Sequence, residues 1–247
     1  MSGTPLPAGY VRVAAGQCSA VVRAEHRADA EAMLCEGTLY EAAARDLAAI
    51  PLAGRGVAYA IALPVTGTRA VVRHNRHGGL LAPLTRDLFV SPTRAPYELA
   101  IALRLAAAGI RTPEVLMYGV QRPALLLRRS DVVTREIIGG RDLAAYMQPT
   151  TSPSDRAAAW AATRELVQAL DAAGARHHDL NAKNILLAPG APGLEAWVLD
   201  VDRVEFREPG AKAVRGGNVA RLLRSARKWR DEKGAVFDER ELEAFGR

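Results

Sequence analysis

Apolar positions in this chain follow one rhythm in its first half and another in its second. The first half holds short, continuous or alternating apolar runs: Tyr10-Val11-Arg12-Val13, Ala20-Val21-Val22-Arg23, Val57 to Leu63, Ala70-Val71-Val72-Arg73, Val115-Leu116-Met117-Tyr118 and Val132 to Ile137. Runs of this length bounded by glycine or proline predict strands. Gly67-Thr68-Arg69 predicts a hairpin turn between the third and fourth runs, with Gly54 and Gly56 at the hairpin mouth. Residues 28–49 look helical, with an interruption at Gly37. Residues 94–108 predict a helix with Pro96 in its first turn and Gly109 as its C-terminal cap. Glu98, Ile101, Ala102 and Leu105 fall on one face of it, so this lone acid is either a rim residue or is aimed at a buried cation, for which Arg73 is the candidate.

Gly139-Gly140 then breaks the pattern and is read as a linker. Beyond it helical spacing dominates. A short helix is expected near Asp142–Met147. Ser152-Pro153 opens a longer one, striped by Trp160, Thr163, Leu166, Val167 and Leu170 and ended by Gly174. Ile185-Leu186-Leu187 and Trp197-Val198-Leu199 flank a Pro/Gly turn at 189–193, which predicts a small hairpin. Asn218 is expected to cap a last helix running to about Asp231. Val219, Leu222, Leu223, Ala226 and Trp229 would form its apolar face, with Arg221, Arg224, Arg227, Lys228 and Arg230 around the rest. The resulting division is a β-rich lobe at 1–138, including an N-terminal extension at 1–45, and a helical lobe at 139–247.

Composition narrows the class. With 49% hydrophobic residues in 247, the chain has ample material for a core. Cys18 and Cys35 lack metal-like spacing and are expected as reduced thiols. The first fifteen residues do not read as a signal peptide, and no apolar stretch reaches the roughly 18 residues needed to span a bilayer. A net charge of +6 points to acidic partners. The lysines are Lys183, Lys212, Lys228 and Lys233, so arginine supplies most of the charge, as base-composition bias in the genome would also produce. No motif interleaves aromatic and basic residues, so a nucleic-acid partner is not expected.

The chemistry concentrates in His177-His178-Asp179-Leu180-Asn181-Ala182-Lys183-Asn184-Ile185-Leu186-Leu187, followed by Val198-Leu199-Asp200-Val201-Asp202. An Asp, an Asn and a further Asp in this order suit phosphoryl transfer. One carboxylate orients the attacking hydroxyl, while an amide oxygen and a second carboxylate hold magnesium against nucleotide phosphates. Arg73-His74-Asn75-Arg76-His77-Gly78-Gly79 is a dense basic run, either a solvated loop or a set of cations for an anionic ligand.

These residues resemble a known family. His177-His178-Asp179 with Asn184 resembles the kinase catalytic loop H-R-D-x-x-x-x-N, and Asp200-Val201-Asp202 resembles D-F-G. Ala70-Val71-Val72-Arg73 resembles the V-A-I-K strand, with Glu98 as its partner on the next helix. The resemblance implies an α+β, protein-kinase-like two-lobe fold: an antiparallel N-terminal sheet with one main helix, then a small, mostly helical C-terminal lobe. It also implies roles. Asp179 would accept the substrate's hydroxyl proton, Asn184 and Asp200 would hold Mg²⁺, and Gly54 and Gly56 would lie over the ATP phosphates. Arg73 would contact the α- and β-phosphates while paired with Glu98, and His177 would support the loop. Arginine replaces the usual lysine at 73, Asp202 replaces glycine, and the stretch after Asp200 is too short for the activation segment and large lobe of a protein kinase.

More narrowly, Val-Val-Arg-His-x-Arg-x-Gly-Gly (71–79), Thr-Arg-Glu-Ile-x-Gly (134–139), His-Asp-Leu-Asn-Ala-Lys-Asn-Ile-Leu-Leu (178–187) and Asp-Val-Asp-Arg (200–203) are similar to the lipopolysaccharide core kinase family, and within it to the bacterial kinases of 3-deoxy-D-manno-octulosonic acid (Kdo). That resemblance implies ATP-dependent phosphorylation of the 4-hydroxyl of a Kdo residue on a lipid A precursor, at the cytoplasmic face of the bacterial inner membrane, with peripheral membrane contact and no obligate protein partner. The basic run and the basic last helix would suit an anionic surface. A heptose kinase, an aminoglycoside- or choline-type phosphotransferase, and an inactive kinase-like binding module are the alternatives. The joint presence of Asp179, Asn184 and Asp200 argues against the last of these.

Overall fold

The computed structural model describes residues 5–52, 57–74, 89–90, 93–121, 127–191 and 193–246. The chain packs as two compact units, residues 1–100 with 114–136 and residues 101–113 with 137–247.

The first unit is built on an antiparallel sheet. Its strands are β1 (Tyr10–Ala15), β2 (Cys18–Arg23), β3 (Ile50–Leu52), β4 (Ala58–Ala62), β5 (Arg69–His74), β6 (Phe89–Val90), β7 (Val115–Gln121) and β8 (Leu127–Arg135). The spatial order is β1-β2-β7-β8-β5-β4-β3, and β6 also pairs with β8. Residues expected as an N-terminal extension therefore belong to the sheet: β2 pairs with β7, Val21 opposite Tyr118. Alternation along each strand sends successive side chains to opposite faces. On one face Val13, Ala20, Val22, Ala70, Val72 and Val133 bury against α1 (Arg27–Cys35) and α2 (Leu39–Arg45) through Met33, Leu34, Leu39 and Ala43. Gly37, at φ 126°, separates the two helices, and Thr38 caps the second in a reciprocal box with Glu41.

Polar groups buried beside this core are paired. Asp29 accepts from the backbone N–H groups of Val65 and Thr66 at 2.8 and 3.0 Å, pinning the β4–β5 turn to α1. Burial alone would raise its pKa, but the hydrogen bonds from Thr66, Val65 and His26 hold the carboxyl below its usual value. Asp131 meets His74 Nδ1 at 2.5 Å and accepts from the Tyr40 N–H at 3.0 Å, which ties β8 to β5 and α2. Arg73, next to His74 on β5, faces the opposite way, toward α3 (Ala95–Ala107).

The second unit contains β9 (Arg141–Asp142), α4 (Leu143–Tyr146), α5 (Pro153–Ala172), β10 (Ala175–His177), β11 (Ile185–Gly190), β12 (Gly193–Val198), β13 (Val204–Phe206), α6 (Lys212–Lys233) and α7 (Glu239–Gly246). Ser152 caps α5 with Pro153 at its start, and the expected stripe Trp160, Thr163, Leu166, Val167 and Leu170 is buried. The hairpin β11–β12 forms with Ile185 opposite Val198.

Helix α6, expected as the last, is followed by α7 and departs from expectation in its start as well. It begins at Lys212, runs through Gly216-Gly217, and buries Asn218 in its middle instead of using it as a cap. The reason lies on β10. Arg176 crosses the helix to donate to the Ala213 carbonyl at 2.6 Å, and a Cβ on Gly217 would sit 1.3 Å from that guanidinium. Glycine here makes room for a neighbour; it does not end the helix.

Candidate functional site

Asp179, Asn184 and Asp200 are held by local backbone chemistry within the second unit. The Asp179 carbonyl accepts from Asn181 Nδ2 at 3.0 Å and from Asn184 Nδ2 at 2.9 Å, folding the loop back on itself. Asn181 Oδ1 accepts from the Lys183 N–H at 2.9 Å, a side-chain turn that makes Asn181 part of the loop's frame. With its Nδ2 committed, Asn184 has Oδ1 left to offer a ligand. The hairpin then fixes Asn184 relative to the next acid, because the Leu199 N–H donates to the Asn184 carbonyl at 2.9 Å and Asp200 follows directly.

Asp200 is strained. At φ 58° and ψ 45° it is the one non-glycine residue at positive φ among the described residues. Aspartate tolerates the left-handed region better than most side chains, but the conformation still costs energy that the surroundings must supply. The short 3₁₀ turn Val201–Arg203 follows, and there the Arg203 N–H donates to the Asp200 carbonyl at 3.2 Å.

His177 supports this arrangement from beneath. It is fully buried. Its Nδ1 accepts from the Asp179 N–H at 3.1 Å, which leaves the ring proton on Nε2 to be donated to the Leu199 carbonyl at 2.9 Å. Burial pushes its pKa below the ordinary 6.5, against the opposing pull of the Leu199 carbonyl and of Asp200, Asp179 and Asp202. A neutral imidazole thus braces the residue before Asp200 and the backbone of Asp179 together.

One face of α6 runs along the loop. Asn218 Oδ1 accepts from the His177 N–H at 2.9 Å, while its Nδ2 donates to the Ala175 carbonyl and to Asp171, each at 2.9 Å. Arg221 Nη2 donates to the Asp179 carboxylate. Ser225 Oγ accepts from the Ala182 N–H at 3.1 Å. The Trp229 ring lies 5.3 Å from Lys183 Nζ, which also pairs with Asp142 at 2.9 Å. Positions 218, 221, 225 and 229 are spaced three and four apart, which stacks them on one side of a helix. None was assigned a place in the site from the sequence, although this spacing is the signal that could have found them.

The same helix corrects a second expectation. Arg221 is not part of a solvated basic side, since it reaches the candidate base. Arg227 pairs with Glu239 at 3.1 Å, Arg230 pairs with Glu239 as well, and Lys228 lies 3.9 Å from Glu232. Helix α7 thus neutralises part of the charge that looked free.

In the first unit the expected pair forms. Arg73 Nη2 donates to Glu98, whose side chain is only 3% exposed against 28% for Arg73. The buried end of the pair is the acid, so the cation is the end that reaches solvent. Gly54, Gly56 and residues 75–79 of the basic run lie outside the described residues.

Among the described residues no group of three or more His, Cys, Asp or Glu forms a metal cage. The Asn184 amide oxygen and the Asp200 carboxylate are nonetheless the hard oxygen donors that Mg²⁺ prefers, with phosphate and water completing its shell. The donor set fits that ion. No helix among the described residues is long and apolar enough to cross a membrane.

Comparison with known proteins shows the family. A family model described as "Lipopolysaccharide kinase (Kdo/WaaP) family" matches residues 51–245. A 3-deoxy-D-manno-octulosonic acid kinase of Actinobacillus succinogenes is 32% identical over 191 residues, covering 75% of this chain and 78% of the relative. The protein of that name from Haemophilus influenzae strain Rd is 31% identical over 181 residues, covering 71% and 73%. That from Xylella fastidiosa strain M12 is 32% identical over 204 residues, covering 78% and 75%. A solved structure titled "WaaP in complex with acyl carrier protein" aligns over 80% of this chain and 88% of its own, with 21% identity and a TM-score of 0.47. The chain is a kinase of the lipopolysaccharide kinase (Kdo/WaaP) family.

Proposed function

We propose that this kinase transfers the γ-phosphoryl group of ATP to the 4-hydroxyl of a Kdo residue on a lipid A precursor. The observation that carries the reading is the held Asp179. Its carbonyl is clamped by two asparagine amides and its carboxylate is partly open to solvent, so it can meet an incoming hydroxyl in one orientation. The names of the relatives supply the acceptor.

In this mechanism the acceptor oxygen attacks the γ-phosphorus, the bond to the ADP oxygen breaks, and the hydroxyl proton passes to Asp179. Asn184 and Asp200 would hold Mg²⁺, which when bound offsets phosphate charge. Arg73, kept in place by Glu98, would grip the α- and β-phosphates. Arginine suits this task because its fork binds phosphate in a bidentate way and keeps its charge. Gly54 and Gly56 would let backbone N–H groups approach the phosphates.

The test is transfer of labelled phosphate from ATP, with magnesium, to a Kdo-lipid A precursor beside heptosyl and aminoglycoside acceptors. Transfer to the Kdo acceptor is expected. Transfer confined to another acceptor overturns the substrate. Peripheral attachment to the cytoplasmic face of the inner membrane belongs to the same proposal, resting on exposed Arg224, on Lys228 and on the net charge of +6. Cosedimentation with anionic liposomes should fall on replacing Arg224 and Lys228 with Ala, and unchanged cosedimentation would reject those residues.

A further inference from the structure

We propose that Arg221 is the acceptor-specificity residue: its guanidinium, held on the Asp179 carboxylate, receives an oxyanion that the acceptor sugar carries near the hydroxyl to be phosphorylated. This inference rests on the proposed function and names what in the acceptor that site reads.

The other members of the α6 stripe shape the loop. Asn218 and Ser225 bind backbone N–H groups, and the Trp229 ring meets the Lys183 ammonium. Arg221 alone among them engages the reactive carboxylate. A guanidinium held on the carboxylate of the candidate base presents positive charge to whatever docks beside it. Orientation alone does not require that charge, since neutral amides already orient the backbone of Asp179 through Asn181 and Asn184. The charge of Arg221 therefore has another use.

An acidic acceptor supplies it. An anion brought up to Asp179 meets like charge, and a guanidinium shared between the two anions relieves that repulsion. The geometry leaves room for sharing. Arg221 offers five N–H donors in a plane, and Asp179 occupies the Nη2 end. Its Nε is buried, so the exposed part of the guanidinium is what a ligand meets. The side chains of Arg221 and Asp179 are 35% and 19% exposed, so a ligand can approach both from solvent.

Two groups could be that oxyanion, the sugar's own carboxylate or a phosphate on the lipid A part. The experiment compares a Kdo-lipid A precursor, its Kdo carboxamide and its dephosphorylated form, using the full-length protein with ATP and magnesium. Wild type is expected to favour the intact acceptor over one of the two neutralised forms by at least roughly tenfold in kcat/KM, a usual size for one charged contact. In Arg221→Met that ratio should fall to about one, with the loss appearing as a raised KM for the intact acceptor. The neutralised form that shows the effect identifies the oxyanion. Arg221→Lys, which keeps charge without the fork, should retain part of the preference and serves if the Met variant is not folded by thermal melt. Arg164→Met, an exposed arginine on α5, should leave the ratio unchanged. Equal loss toward all three acceptors in the Arg221 variants would make it a positioning residue and overturn the inference. Wild-type transfer to none of the three would overturn the substrate assignment, and this inference with it.

Discussion

At Arg73 a guanidinium meets the Glu98 carboxylate, and the acid is buried while the cation is partly exposed. At Asp179 the carboxylate sits at the tip of a loop whose backbone is bonded to Asn181, Asn184, His177 and, through Ala182, Ser225. The first arrangement joins a buried acid to a cation that reaches solvent. The second is over-determined, since losing one bond leaves the others in place. A ligand-gripping cation gains from freedom to adjust, while a proton acceptor gains from a fixed position, where small errors are costly in rate.

The comparison can be broken at either end. The largest effect is expected at the loop's tip. Asp179→Asn should lower kcat by about 10³-fold while nucleotide affinity stays within a factor of two or so, because it removes proton acceptance and little else. Equal loss in both quantities, measured by steady-state kinetics and nucleotide titration, would mean the loop also binds nucleotide. Next in size is the frame beneath. Asn218→Leu leaves the His177 N–H and the Ala175 carbonyl buried without partners, which should cost about 2–4 kcal/mol in urea unfolding. A change below about 1 kcal/mol would show that the loop does not depend on α6.

Glu98→Gln should be milder and of another kind. Nucleotide affinity is expected to fall about tenfold, roughly 1.4 kcal/mol, with little change in the urea midpoint, because the Arg73 end of the pair is already partly exposed to solvent. A large loss of stability would place the pair with the frame instead. The smallest effect is the pH dependence of stability. His177 titrates lower in the folded chain than its ordinary 6.5, so the unfolded chain binds the extra proton first. Stability should be level above pH 6.5 and decline as pH falls from there toward the folded value, by at most about 1.4 kcal/mol per pH unit. His177→Asn should lose that slope, and an identical profile in both proteins would reject the assignment.

How much of this was legible in the sequence depends on distance along the chain. The hairpin carrying Asn184 at its start and Asp200 past its end was readable, because its turn and both apolar runs lie within a few residues. The Arg73–Glu98 pair was also readable: an acid on an apolar helix face needs a cation, and a strand arginine was available. The role of α6 was not. Asn218 looked like a cap because asparagine favours helix starts, yet the helix begins at Lys212 and runs through Gly217, where glycine makes space for Arg176. Arg221 looked solvated because most helical arginines are. Their partners lie about forty residues upstream, where no local pattern points to them. The first 45 residues, which carry no chemical signature, turned out to supply two strands and two helices of the first unit.

The lysine of the loop has a consequence of a different sort. The chain holds four lysines, and Lys183 is the one whose ammonium lies over the face of Trp229, 5.3 Å from the ring centre. Isotope-labelled methyl groups placed on the lysines would give a spectrum of very few lines, and the ring current of the indole would move the Lys183 line away from the other three. That line would follow any shift of the loop as nucleotide or acceptor binds, in the unmutated protein and without a label on Asp179 itself.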